Sequence, residues 1–108
     1  MTDLDIIIRG GMIIDGQRTP RYRGDIGIKN GQVQAITGMG GLSKKTALKE
    51  IDAAGLIVAP GFVDLHTHYD AQIFWDPYCT TGGWHGVTSV VIGNCGFGIA
   101  PVKEDGHE

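Results

Sequence analysis

Two apolar segments late in the sequence are separated by a connection that fixes how they can pair. The first is residues 61–68, and the second, residues 87–92, is a continuous apolar run typical of strands buried on both faces. The 18 residues between them, 69–86, are too many for a hairpin and enough for the crossover that parallel strands need. The sequence therefore predicts a βαβ unit beginning near Gly61.

Polar residues alternate with apolar ones along the first of these strands. With a period of two, Asp64, His66 and His68 share one face of the strand. Two neutral imidazoles at this spacing can reach one Zn²⁺, with Asp64 one step deeper to orient a ligand. Alone, a His-x-His pair is often only a surface or core pair.

Cys95 comes just after the second strand. If the two strands are parallel neighbours, its thiol meets His66 and His68 at one rim, and active sites of parallel sheets and barrels lie at the carboxyl ends of strands. The geometry therefore permits a metal site formed by these three residues, and it leaves open that Cys95 is a small buried side chain without a ligand role. Free cysteine is commonly a small buried hydrophobe, and this is the interpretation we keep for Cys79.

The clearest local signal in the first half of the sequence is a hairpin. Asn30-Gly31 supplies the two positive-φ residues of a type I′ turn between the alternating segments 24–29 and 32–36. A two-residue turn places the apolar pairs on one face, where they should cover a core. The predicted partners are Lys29 with Gln32, Ile28 with Val33 and Ile26 with Ala35.

Other strands are indicated on both sides of the hairpin. The β-branched runs 5–9 and 12–14 predict a strand, a bend and a second strand. The β pattern resumes at residues 48–52 and 56–60, around a turn. A helix over residues 44–50 is the alternative for part of that region.

Composition excludes several classes of protein. The chain is 42% hydrophobic and 19% charged, which is typical of globular proteins. A net charge of −3 offers no footprint for nucleic acid or an anionic membrane, and the apolar runs are shorter than the roughly 18 residues of a membrane span. The acidic start lacks the features of a secretory signal, so we expect a cytoplasmic location, free thiols and a small-molecule ligand.

Two segments together resemble a known family. Residues 57–68, which end in His-Thr-His, resemble the first barrel strand of the amidohydrolase superfamily. Residues 84–96, which contain Gly-Asn-Cys-Gly, together with Ala100-Pro101-Val102, narrow the resemblance to the N-acyl-D-amino-acid deacylase, or D-aminoacylase, branch. The preceding strand-rich segment is similar to the small β-sandwich that precedes the barrel in those enzymes.

The resemblance implies a fold and a set of ligands. Residues 1–58 would form part of a small β-sandwich, and residues 59–108 the first two strands of a metal-dependent (β/α)8 TIM barrel, incomplete here because a barrel needs about 250 residues. His66 and His68 would be the paired histidines of a centre holding one or two zinc ions. Cys95 would be the thiolate ligand that replaces the modified lysine of other branches.

The resemblance also implies an activity. The parent enzyme would be a zinc-dependent hydrolase of the amide bond of N-acyl-D-amino acids, with no nucleic-acid or membrane partner. Two further histidines and the catalytic aspartate would lie on later strands beyond Glu108, so no catalytic residue is expected in this chain and the fragment should be inactive alone.

Two alternatives stay open. One is another amidohydrolase, either hydantoinase- or dihydropyrimidinase-like or a deaminase, against which a cysteine ligand argues. The other is a non-catalytic β-rich module, which is what we expect of the 108 residues by themselves. Exposed strand edges would then favour self-association.

Overall fold

Five strands form one mixed sheet in the first sixty residues of the computed structural model, which describes residues 2–95. The chain divides after Pro60 into two compact units. The strands of the first unit are β1 (Leu4–Ile13), β2 (Tyr22–Lys29), β3 (Gln32–Gly38), β4 (Ala47–Asp52) and β5 (Ile57–Val58). Their order is β3-β2-β1-β4, and β5 pairs with β1 beyond the end of β4. The second layer of a sandwich stays a prediction.

The predicted hairpin between β2 and β3 is confirmed. Asn30 and Gly31 have φ values of 52° and 72°, as a type I′ turn requires. Two of the predicted pairs are present, Lys29 with Gln32 and Ile28 with Val33.

The predicted pairing of Ile26 with Ala35 is wrong. The register shifts between Gly27 and Ile28, so that Ala35 lies opposite Gly27 and Ile26 lies opposite Ile36. A bulge adds a residue on one strand, and a residue count from the turn does not detect it.

β1 is one strand and not the two predicted around Gly10. Both halves pair with β2, and the irregularity between Ile8 and Gly11 is accommodated by a buried carboxylate. Asp25, 2% exposed, accepts hydrogen bonds from the backbone N–H of Gly10 at 2.9 Å and of Leu42 at 3.3 Å. Asp25 therefore joins the bulge of β1 to the loop that follows β3.

The β pattern predicted after the hairpin is confirmed, and the alternative helix over residues 44–50 is wrong. β4 pairs with β1 in parallel, with Ile6 opposite Lys49 and Ile8 opposite Ile51. Backbone hydrogen bonds to β1 are therefore satisfied only when this segment is extended. The Ala53 carbonyl accepts a bond from the Leu56 N–H at 2.9 Å, closing the turn to β5.

The core of the first unit lies on one face of the sheet. Ile7 is fully buried and packs with Leu4 and with Leu42 from the loop after β3. Of the hairpin side chains predicted to cover a core, Ala35 packs against this cluster. Ile26 and Val33 lie on the opposite face, where Ile26 is buried but Val33 is 58% exposed. That face is therefore only partly buried within this unit.

The second unit begins with the predicted βαβ arrangement. Its elements are β6 (Phe62–Asp64), α1 (Tyr69–Gln72), α2 (Thr80–Trp84) and β7 (Val87–Val90). β6 and β7 pair in parallel, with Phe62 opposite Val87 and Asp64 opposite Val90. Both strands are shorter than predicted. β6 ends at Asp64, before the histidines, and β7 ends at Val90.

Side-chain hydrogen bonds hold the two short helices. The Tyr69 hydroxyl, buried at the start of α1, accepts a bond from the backbone N–H of Gly82 in α2. Asp76 accepts bonds from both the N–H and the hydroxyl of Thr80, the first residue of α2. Among residues 2–95, no helix has the length and apolar character to cross a bilayer.

Replacing Asp25 tests its role at the bulge. Asp25→Ala leaves the half-buried amide of Gly10 and the buried amide of Leu42 without their acceptor, so we expect a loss of about 2 kcal/mol in the free energy of unfolding. Urea unfolding followed by circular dichroism measures this. Asp52→Ala, at an exposed turn, is the control and should change the value by no more than about 0.5 kcal/mol. Equal midpoints for the two variants would contradict the assignment.

The contact between Asp76 and Thr80 predicts a pH dependence. The hydrogen bond from the Thr80 side chain lowers the pKa of Asp76 below its ordinary value. This contribution to stability is present above the ordinary pKa and is lost as the pH falls through the lowered one. Thr80→Val should raise the pKa of Asp76 in a carboxyl NMR titration, whereas the control Thr81→Val should leave it unchanged. A pKa unaffected by Thr80→Val would show that the hydrogen bond is not its cause.

Candidate metal centre

The parallel pairing of β6 and β7 brings two polar segments to the same edge of their sheet. His66 and His68 follow the end of β6 at Asp64, and Cys95 follows the end of β7 at Val90. In a parallel pair both carboxyl ends lie at one edge, which is where ligands bind in parallel sheets. The ladder extends slightly past the strands, since the Val91 N–H donates to the Asp64 carbonyl at 2.8 Å.

Three potential metal ligands converge at this edge. Donor atoms of His66, His68 and Cys95 all lie within 4.8 Å of one another. The Cys95 Sγ is 3.3 Å from Nε2 and 3.7 Å from Nδ1 of His68, and the two imidazole centroids are 6.1 Å apart. Ligands bound tetrahedrally at about 2.0–2.3 Å lie about 3.3–3.7 Å apart, so the separation of Cys95 and His68 matches that of two ligands of one ion.

The donor set fits zinc chemically. Imidazole nitrogen and cysteine thiolate are zinc ligands, whereas magnesium and calcium prefer carboxylate and carbonyl oxygen. Both histidines are exposed and Cys95 is half-buried, so an ion has access from solvent. Three ligands from this chain would leave one position of a tetrahedral zinc ion for a further protein ligand or a water molecule.

A buried carboxylate lies beside the turn at Gly93, two residues before Cys95. Asp70 is 5% exposed, and its Oδ2 has no hydrogen-bond partner among residues 2–95. Its Oδ1 lies 4.0 Å from the position that a side chain on Gly93 would occupy, so the carboxylate lies beside the turn that carries Cys95. A buried unpartnered carboxylate is costly, and a cation nearby would offset that cost. Asp70 lies outside the three-residue donor cluster, and its buried carboxylate is compatible with a cation near this turn.

The Asp64 side chain contacts the backbone of the segment that carries the two histidines. Its Oδ1 accepts a hydrogen bond from the N–H of His66 at 3.1 Å. Because β6 ends at Asp64, strand alternation does not extend to His66 and His68. The carboxylate holds the bend that carries His66, whereas its position in the sequence predicts that it orients a ligand.

Two residues with no role predicted from the sequence connect the ligand segments. Thr67 is buried, and its hydroxyl donates to the carbonyl of Val91 at 3.3 Å. The Asn94 side-chain amide donates to the carbonyl of Leu65 at 2.7 Å. Their positions in the sequence could have indicated this role, since each is adjacent to a predicted ligand and carries a hydrogen-bonding side chain.

The remaining predicted features lie elsewhere. Cys79, at the start of α2, is outside the three-residue cluster, and both cysteines are free thiols as predicted. Gly96 and the Ala100-Pro101-Val102 part of the motif lie outside the described residues.

A model of the amidohydrolase family matches residues 49–106, more than half of the chain. The chain belongs to the amidohydrolase family. It is 44% identical over 104 residues to the N-acyl-D-glutamate deacylase of Alcaligenes xylosoxydans, which covers 96% of this chain and 21% of the relative.

Two solved amidohydrolases share the fold of this segment. The N-acyl-D-glutamate deacylase of Bordetella bronchiseptica, in complex with zinc and a phosphonate mimic of the tetrahedral intermediate, gives a TM-score of 0.80 at 44% identity, over 95% of this chain and 21% of that one. A D-aminoacylase studied for its binuclear metal centre gives 0.81 at 39% identity, over 92% and 20%. The resemblance to this amidohydrolase branch is confirmed, and the chain spans about one fifth of these relatives.

The two cysteines offer a matched test of the candidate centre. Cys95→Ser removes the thiolate, so we expect zinc affinity, measured by calorimetry under reducing conditions, to fall more than about 100-fold, beyond the loss typical of an outer partner. Cys79→Ser should bind zinc as the unaltered protein does. Equal affinity in the two variants would rule Cys95 out as a ligand.

Proposed function

We propose that this chain supplies His66, His68 and Cys95 to the metal centre of a zinc-dependent hydrolase that cleaves the amide bond of N-acyl-D-amino acids. The observation that carries the proposal is the convergence of these three donors at one sheet edge. The similarity to two proteins named as deacylases of this class supports the choice of substrate.

Each ligand has a distinct role in this proposal. His66 and His68 present neutral ring nitrogens, and Cys95, as a thiolate, adds a negative charge and a soft donor. Zinc held there would polarise the scissile carbonyl and lower the pKa of an attacking water. The exposed faces of both imidazoles leave room for an acylated amino acid to approach.

The proposal places the rest of the catalytic site outside these 108 residues. By the family resemblance, two more histidines and the aspartate that moves the proton to the leaving amine come from later strands. β6 and β7 would then be the first two strands of the (β/α)8 barrel in a segment 59–108, after a sandwich segment 1–58. We infer that the 108 residues alone are catalytically silent.

Location and association complete the proposal. A cytoplasmic location, a small-molecule N-acyl amino acid as partner and the absence of nucleic-acid and membrane partners stay predictions. Self-association through uncovered strands also stays a prediction. It is supported by large apolar side chains of the second unit, such as Phe74, Trp75 and Trp84, which are more than two-thirds exposed.

An enantiomer comparison tests the activity. In the complete natural polypeptide containing these residues, we expect N-acetyl-D-amino acids, N-acetyl-D-glutamate included, to be hydrolysed and their L-enantiomers not. Chelation of the metal should abolish turnover and zinc should restore it. His68→Ala should also lose activity, because it removes a proposed metal ligand. His85 is exposed and lies outside the donor cluster, so His85→Ala should retain activity.

Other outcomes would contradict the proposal. Equal turnover of both enantiomers, or indifference to chelator, would overturn it. Hydrolysis of a hydantoin without hydrolysis of any N-acyl amino acid would favour the hydantoinase alternative. Metal binding without any of these activities would favour a non-catalytic module.

A further inference from the structure

The Asn94 side chain joins the two segments that carry the candidate ligands. Nδ2 of Asn94 donates a 2.7 Å hydrogen bond to the backbone carbonyl of Leu65 across 29 positions of sequence. Asn94 immediately precedes Cys95, and Leu65 immediately precedes His66. The bond therefore fixes the thiol segment against the histidine segment, one residue away from a ligand on each side.

The strand ladder does not reach this far. Its last backbone bond runs from the Val91 N–H to the carbonyl of Asp64, and the Thr67 hydroxyl adds a bond to the Val91 carbonyl. Beyond Val91 the chain turns at Gly93, whose φ of 88° is a conformation that glycine adopts without strain. Among residues 2–95, the Asn94 amide ties this turn back to the histidine segment in addition to the contact of the Cys95 thiol with the His68 ring.

We propose that Asn94 is a positioning residue for the metal centre. Its amide sets the separation between the Cys95 Sγ and the His68 ring, which is 3.3 Å at Nε2. Without the amide, the turn after β7 keeps its fold but its thiol samples a wider range of positions. An ion then loses the preorganised third ligand, so its affinity falls while the fold is retained.

The bond is placed so that its structural and metal-related effects can be separated. It is solvent-exposed at the edge of the sheet, where loss of a single hydrogen bond changes overall stability little. A role confined to stability would therefore appear as a small shift in the unfolding temperature with unchanged metal affinity. A positioning role would appear as weaker metal binding with an unchanged unfolding temperature.

Three variants test the proposal in the 108-residue protein, with Co²⁺ and Zn²⁺ as probes. Asn94→Leu is similar in size and lacks the donor, Asn94→Gln keeps an amide, and Gln34→Leu makes the same change on exposed β3. Cobalt affinity and the thiolate-to-cobalt absorption report Cys95 ligation directly. Zinc affinity follows from competition with a chromophoric chelator, and thermal unfolding of the metal-free protein reports the fold.

We expect Asn94→Leu to bind both ions about 10–100-fold more weakly, with a reduced thiolate-to-cobalt absorption and an unchanged unfolding temperature. Asn94→Gln should recover part of the affinity, and Gln34→Leu should match the unaltered protein. Unchanged affinity in Asn94→Leu, or a loss explained by a fall in unfolding temperature, would overturn the role of Asn94.

This inference rests on the proposed metal site, and the same titrations separate the two. If the unaltered protein binds neither ion, the proposed site fails and the role of Asn94 fails with it. If the unaltered protein binds both ions and Asn94→Leu binds them equally well, only the role of Asn94 fails.

Discussion

The parallel pairing of β6 with β7 determines where the chemistry of this chain lies. Because both strands point the same way, the residues that follow them emerge at one edge, and His66, His68 and Cys95 meet there. An antiparallel pair would send the thiol to the opposite end. The crossover that parallel pairing requires is supplied by α1 and α2, which Tyr69 and the Asp76–Thr80 contact hold in place.

Much of this arrangement could be predicted from the sequence. The length of the connection between residues 68 and 87 excludes a hairpin, and Asn30-Gly31 leaves few alternatives for the turn between β2 and β3. These predictions succeed because they depend on chain length and on backbone conformations that few residues adopt. The family resemblance added the identity of the expected ligands.

The remaining features depend on contacts that pattern reasoning does not reach. The shifted partner of Ile26 comes from a bulge, and the continuity of β1 through Gly10 depends on the carboxylate of Asp25, 15 positions away in the sequence. The end of β6 at Asp64 reflects a side-chain bond to the His66 amide, which competes with the extended backbone. The role of Asn94 was not predicted because its partner is a backbone carbonyl, a group that every residue carries.

The central claim is that two imidazoles and one thiolate of this chain bind the same ion. X-ray absorption of the zinc-loaded protein measures the ligands of that ion directly. We predict one sulfur at about 2.3 Å and nitrogen ligands at about 2.0–2.1 Å, with the sulfur lost in Cys95→Ser. A zinc ion surrounded only by nitrogen and oxygen, in protein whose Cys95 is reduced, would contradict the account.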